Sequence, residues 1–237
     1  MNALSQLWEY LTTATNWSGD SGILHRLDQH IVLTVVSVGI AAAVALPLAL
    51  TLGHFGRGGT LAINVTNVGR AIPTFAVLTL LTLSPLGISN TSTVIALVLF
   101  ALPPLVTNSY VGVREVDPEA RDAARGMGMS GWQLFRRIEL PLGMPLIMAG
   151  IRIATVQVVA TATIAALVGA GGLGRLITDG LSSHNQGQLL TGAVVVMALA
   201  LVVESILALV QRRVDPLRRR RILPKCGDSP GPYPSSP

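Results

Sequence analysis

Five apolar runs, each close to the length needed to cross a bilayer, constrain this chain more than any other feature. They are Ile31 to about Gly53, Ala71 to about Leu86, Thr91 to about Val113, Pro145 to about Val168, and Leu189 to about Val210. A hydrocarbon core of roughly 30 Å needs about 20 apolar helical residues, and only helices or closed barrels satisfy their own backbone polar groups in lipid. The expected fold is therefore all-α and polytopic, with about five transmembrane helices. Pro47, Pro73 and the pair Pro103-Pro104 fall inside these runs and predict bends or interruptions. Small residues dominate the runs, as in Gly39-Ile-Ala-Ala-Ala-Val-Ala, and favour close helix packing. An apolar fraction of 50% with only 12% charged residues agrees with a membrane protein.

The basic residues fix an orientation. With five crossings, the loop at 54–70, the loop at 114–144 and the tail share one side. That side carries fourteen Arg and Lys residues, including Arg57, Arg70, Arg114, Arg121, Arg125, Arg136, Arg137 and Lys225. The opposite side carries only Arg26 and Arg175. The positive-inside rule then predicts a cytoplasmic C-terminus and an outside N-terminus in a plasma membrane. Clustering at the ends of apolar runs also argues against a nucleic-acid-binding face, despite the net charge of +5.

Three regions follow: an interfacial segment at 1–30 with Trp8, Tyr10 and Trp17, a transmembrane domain at 31–211, and a basic tail at 212–237. The tail ends in a Pro/Ser/Gly-rich stretch expected to be disordered. The first thirty residues lack the basic-then-apolar pattern of a cleaved signal peptide. Cys226, the single cysteine, excludes an internal disulfide and a cysteine-based metal site.

The segment at 117–141, DPEARDAARGMGMSGWQLFRRIELP, is the longest polar interval between apolar segments. Asp117-Pro118 marks one helix start, and Ser130-Gly-Trp-Gln133 is a capping-box pattern for a second. Gly126 and Gly128 lie where the first helix should end. Two short helices with a glycine break are predicted, lying against the membrane.

No enzyme chemistry is legible. Gly169-Ala-Gly171-Gly-Leu-Gly174 fits the dinucleotide fingerprint, but it follows a membrane helix rather than a strand and reads as a sharp or re-entrant turn. The only lysine, Lys225, has no glycine-rich loop around it, so the chain holds no phosphate-cradling ATPase motif. His25, His30, His54 and His184 lack zinc-ligand spacing and are read as unliganded. No catalytic residue, cofactor site or metal site is assigned. Two charges fall within or near apolar runs: Arg152, which can snorkel to the cytoplasmic surface, and Glu204. A charge at mid-helix costs about 2.5–3.5 kcal/mol on insertion scales, which makes Glu204 either a pathway residue or a structural partner, with Arg152 a candidate counter-ion. The crossings hold only Phe75, Phe100 and Tyr110 as aromatics, too few for a cation cage. Such a pathway depends on another protein for selectivity.

The 117–141 segment also carries a family resemblance. Asp122-Ala123-Ala124, Gly128, and Ile138-x-Leu140-Pro141 resemble the EAA loop of type I ABC importer permeases, with aspartate in place of the usual glutamate. Within that family, the similarity from His30 to Val210 is greatest to the osmoprotectant group, which carries glycine betaine, choline, carnitine or proline. It is densest at Arg70-Ala-Ile-Pro73, Gly126–Trp132, Pro145–Arg152 and Ala165–Gly174. Permeases for an amino acid such as methionine share the loop spacing and the glycine turn, and remain an alternative.

The resemblance implies that Asp122, Ala123, Ala124, Gly128, Ile138, Leu140 and Pro141 dock a separate ATPase, which binds ATP and Mg. It implies a second permease subunit, identical or paralogous, and an extracytoplasmic solute-binding protein. An ion-coupled carrier using Glu204 is a further alternative, for which inverted repeats are expected and none is visible.

Overall fold

The computed structural model describes residues 2–59, 63–64, 68–69 and 71–214, and no strand occurs among them. Helix α1 (Ala3–Thr12) precedes the long α2 (Ile23–Phe55). Then come α3 (Thr74–Leu83) and α4 (Asn90–Arg114). The polar segment forms α5 (Pro118–Gly126) and α6 (Gly131–Leu134), followed by a π turn (Phe135–Glu139). Helix α7 (Leu140–Ala165), α8 (Gly174–Ser182) and α9 (Gln186–Val214) complete the chain.

Four helical stretches are long and apolar enough to cross a membrane: Ile23–Phe55, Asn90–Arg114, Gly131–Val168 and Gln186–Val214. The second predicted crossing is different. Helix α3 has ten residues, about 15 Å of rise, and cannot span alone. Pro73 stands at its N-cap with ψ 124°, and as a proline it also disfavours helical geometry in Ile72 before it, so the run expected from Ala71 is broken there. Gly59 lies against the Tyr110 ring and Gly69 lies near Pro103, so both stand beside α4. Hydropathy averaged over the run does not register that break. Arg70 and residues 215–237, with Lys225, Cys226 and the expected disordered tail, lie outside the described residues.

Small side chains set the core. Ala41, Ala45, Ala49 and Gly53 recur every fourth residue on the buried face of α2 and pack toward Leu97, Ala101, Leu105 and Tyr110 of α4. A Cβ at Gly53 would lie 2.9 Å from Val113 Cβ, so the stripe lets the two helices approach closely. On the other face of α4, a Cβ at Gly150 would lie 2.8 Å from Asn108 Cβ, and Asn108 Nδ2 donates to the Pro104 carbonyl at 2.8 Å. Helix α3 closes one side through Leu78, packed with Ala96, Phe100 and Ala165.

Helix α2 begins at Ile23, so its first two turns belong to the segment read as interfacial. Trp17 Nε1 donates to Leu11 O at 2.8 Å, and Tyr10 and Trp17 pack with Ile23, Leu173 and Leu176. Burial, and then the nearby Asp179 carboxylate, push the Tyr10 hydroxyl above its ordinary range. These contacts seat α1 on α8 and α9. Apart from Gly187, Thr191 and Gly192, α9 has no buried residue, and Met197, Leu201, Ile206 and Leu209 form an exposed apolar face suited to lipid.

Candidate ATPase-coupling loop

Local chemistry builds the 117–141 segment. Asp117 Oδ1 accepts from Glu119 N at 2.9 Å, and Pro118 occupies the first turn, where its missing N–H costs nothing. At the other end of α5, Gly128 has φ +78°. Met129 N donates to Ala124 O at 3.2 Å and Gly128 N donates to Arg125 O at 2.9 Å, the paired bonds of a Schellman stop. Ser130 N then donates to Gln133 Oε1 at 2.9 Å, and Gln133 N returns to Ser130 Oγ at 3.4 Å. The predicted capping box and left-handed glycine are both present.

Helix α5 divides its residues between two faces. Arg121 and Ala124 are buried, while Asp122, Ala123, Arg125 and Gly126 are exposed. Asp122 meets Arg125 at 3.4 Å in an open, solvated pair. Beyond the turn, Met127 is 70% and Trp132 is 66% exposed, so an apolar patch borders these polar residues. Ile138 in the π turn and Leu140 and Pro141 at the start of α7 are half-buried, and their segment is helical rather than loop.

The residue between Ile138 and Leu140 is the one that sequence reasoning missed. Glu139 is fully buried at the end of the π turn. Its Oε1 accepts from Arg121 Nε at 2.8 Å and also from Arg121 Nη2. Its Oε2 accepts from His54 Nδ1 at 2.5 Å, at the last turn of α2. A carboxylate only accepts, so the Nδ1 of His54 carries the proton. Each oxygen therefore has its own partner, and a buried charge is paired twice. The π turn shifts the helical register by one residue, and Glu139 faces inward while Arg136 and Arg137 stay exposed. Beside this cluster, Leu50, Thr51, His54, Phe55, Gly131, Trp132 and Phe135 line a cavity of about 380 Å³. The signal for Glu139 in the sequence was slight: one acid set between Ile138 and Leu140 at a helix junction.

At the opposite end of the bundle lies the glycine-rich turn. Gly169 and Gly172 have φ +93° and +90°. Gly172 N donates to Gln29 Oε1 at 3.1 Å, and Leu173 N donates to His30 Nδ1 at 3.3 Å. His30 Nε2 lies 3.1 Å from Val159 O, so the ring is held with its proton on Nε2. His30 thus ties α2 to α7 and to the turn. No group of metal-ligating side chains occurs among the described residues.

Arg152 and Glu204 come together between α7 and α9. Arg152 Nε lies 3.3 Å from Glu204 Oε1, and Arg152 Nη1 donates to Gln211 Oε1 at 2.9 Å. Gln211 Nε2 donates in turn to Pro145 O at 2.9 Å.

A bundle of long apolar helices with an exposed, capped helical loop defines the class: a polytopic membrane protein. Residues 36–216 match the family described as binding-protein-dependent transport system inner membrane component, and the chain belongs to that family. It is 38% identical to the carnitine transport permease protein OpuCB of Listeria monocytogenes, over 82% of this chain and 88% of that one. It is 32% identical to the glycine betaine/carnitine/choline transport system permease protein OpuCB of Bacillus subtilis, over 82% and 89%. To the osmoprotectant import permease protein OsmY of Salmonella typhimurium it is 35% identical, over 82% and 83%. The fold resembles that of a chain in an inward-facing MetNI methionine ABC transporter structure, with a TM-score of 0.70. That likeness has 21% identity and covers 81% of this chain and 95% of that one; it shows the fold alone. This chain is a multi-pass inner-membrane transport subunit.

Proposed function

We propose that the chain forms the translocation pathway of an ATP-driven importer for osmoprotectants, compatible solutes such as glycine betaine, choline, carnitine or proline. The observation that carries the substrate class is the identity of 32–38% to osmoprotectant permeases across four-fifths of the chain. The methionine alternative has no such identity behind it, since the likeness to a methionine transporter chain, at 21% identity, speaks to the fold alone.

ATP hydrolysis belongs to two partner subunits, which bind ATP and Mg. A second permease subunit completes the pathway, and a binding protein delivers the solute from outside. The exposed face of α5, with Asp122, Ala123 and Arg125 beside Met127 and Trp132, supports its assignment as the surface that docks the ATPase. Closure of the ATPases on ATP displaces that surface and switches the pathway between outward and inward access. The arginine count supports a cytoplasmic position for this loop and the C-terminus, and an outside N-terminus. The Arg152–Glu204 pair gives Glu204 a structural partner and lends no support to a proton relay.

Co-reconstitution with the cognate ATPase and binding protein in proteoliposomes tests the reading. Uptake of glycine betaine, choline, carnitine or proline that requires ATP is expected. Uptake of methionine alone, or uptake driven by an ion gradient without ATP, would overturn it.

A further inference from the structure

Helix α2 is held at both ends by polar contacts to segments far away in the chain. Its 33 residues rise about 50 Å. At one end His54 donates to Glu139, whose other oxygen receives Arg121 of α5. At the other end Gln29 and His30 accept the consecutive N–H groups of Gly172 and Leu173. Beside this outer turn, a cavity of about 320 Å³ is lined by Asp28, Gln29, Val32, Asn90, Val94 and Gly171, among others.

Glu139 ties three elements with one carboxylate: α5 through Arg121, α2 through His54, and α7 through its own backbone. Displacing α5 while α2 stays fixed would strip a partner from a buried charge, which is strongly unfavourable. The two elements therefore move together or the clasp breaks. Between its ends, α2 packs on α4 through the Ala41, Ala45, Ala49 and Gly53 stripe, a smooth surface along which a helix can shift.

We propose that His54 and Glu139 are positioning residues for energy coupling, and that α2 carries displacement of the 117–141 loop to the Gly169–Gly174 turn at the outer mouth. This inference rests on the reading of the chain as an ATP-driven importer permease. It separates two roles within one cluster. The Arg121–Glu139 pair holds the docking loop in shape, and the His54–Glu139 bond transmits its movement.

The test uses the complete transporter in proteoliposomes, with binding protein and with glycine betaine, choline and carnitine each supplied in turn. His54→Leu removes the link to α2 and leaves the Arg121–Glu139 pair in place. It is expected to retain the ATPase at wild-type stoichiometry and to keep basal ATP hydrolysis. Stimulation of hydrolysis by loaded binding protein, and solute uptake, should fall by about tenfold. His54→Asn puts an amide N–H where the imidazole Nδ1 stood and should restore most of the stimulation. Wild-type stimulation in His54→Leu would overturn the proposal. So would loss of the ATPase from that variant, which would make His54 a part of the docking surface alone, and so would failure of His54→Asn to improve on it. Failure of the wild-type transporter to respond to any of these solutes is a separate result, and it strikes the importer reading itself.

Discussion

At the C-terminal end of α2 a buried carboxylate is shared between Arg121 and His54, whereas toward its N-terminal end Gln29 and His30 accept from the backbone N–H groups of a glycine turn. The two glycine turns near these ends differ just as much. A Cβ at Gly128 would meet no heavy atom within 4 Å, while one at Gly172 would lie 3.1 Å from His30 Nδ1. Both glycines have positive φ, so both relieve backbone strain. Only Gly172 also makes room for a neighbour. The Gly128 turn is thus open and presented to solvent, and the Gly169–Gly174 turn is sealed against α2. The contrast suits a surface that receives a partner and a joint that must stay closed to the bundle.

The sharpest way to break the comparison is to remove the charge. Glu139→Ala leaves Arg121 buried without a partner and His54 without its acceptor. Breaking a buried pair from one side costs about 3–5 kcal/mol. We expect a lowered thermal aggregation midpoint in detergent and loss of co-purified ATPase. The double variant Arg121→Met/Glu139→Leu should recover most of the stability, since an apolar replacement of both partners removes the unpaired charge. Recovery of coupling in that variant would contradict the role given to the carboxylate.

Toward the N-terminal end of α2, Gly172→Ala combines a left-handed φ with crowding of His30. The backbone strain costs on the order of 1 kcal/mol, and displacement of His30 from Leu173 N adds about 1–3 kcal/mol for an unsatisfied buried group. The loss should fall short of that for Glu139→Ala, because no charge is left unpaired. Hydrogen exchange at Leu173 is the direct measurement, and unchanged protection there would remove the sealing role of the turn.

The sequence made local devices legible and hid the long-range ones. The Asp117-Pro118 start, the Gly128 stop and the Ser130–Gln133 box each lie within a few residues, so spacing alone identifies them. The Glu139 clasp joins positions 18 and 85 residues apart in the chain, and its acid fell in the variable position between Ile138 and Leu140. His54 and His30 lacked zinc-ligand spacing and read as unliganded, since spacing along the chain says nothing of partners that the fold brings together. Hydrophobic runs located the long helices, and Pro73 marked the interruption of the second, but an average over apolar residues did not show that only Thr74–Leu83 follows it as helix.

Gly128 sharpens the comparison from the side of the exposed turn. Gly128→Ala is expected to cost only the strain of a left-handed residue, on the order of 1 kcal/mol, with near-normal uptake. Gly128→Asp adds a charge to the exposed face beside Arg125 and Met127. It should leave the protein in the membrane at near-normal amount, since the helices satisfy their backbone bonds internally. It should nevertheless lose solute uptake and recover less ATPase. Wild-type uptake and ATPase recovery in Gly128→Asp would remove the coupling role assigned to the loop.

The smallest effect is expected at Glu204. Its carboxylate is half-exposed and lies 3.3 Å from Arg152, whose other contact, Gln211, is independent of it. Glu204→Gln keeps an oxygen that can accept from Arg152 and loses only the Coulomb part of an open pair, on the order of 1 kcal/mol or less. Removing a charge from an apolar helix also relieves part of its insertion cost, which acts in the opposite direction. The two contributions nearly cancel, so stability should hardly change. Transport should remain dependent on ATP and indifferent to a collapsed proton gradient, because the pair leads on only to Gln211 and the Pro145 carbonyl, neither of which relays a proton. Uptake measured in uncoupled, ATP-replete vesicles decides the matter. Its loss from the wild type on uncoupling, together with its absence from Glu204→Gln, would make the carboxylate a proton site and would place the energy source in the ion gradient.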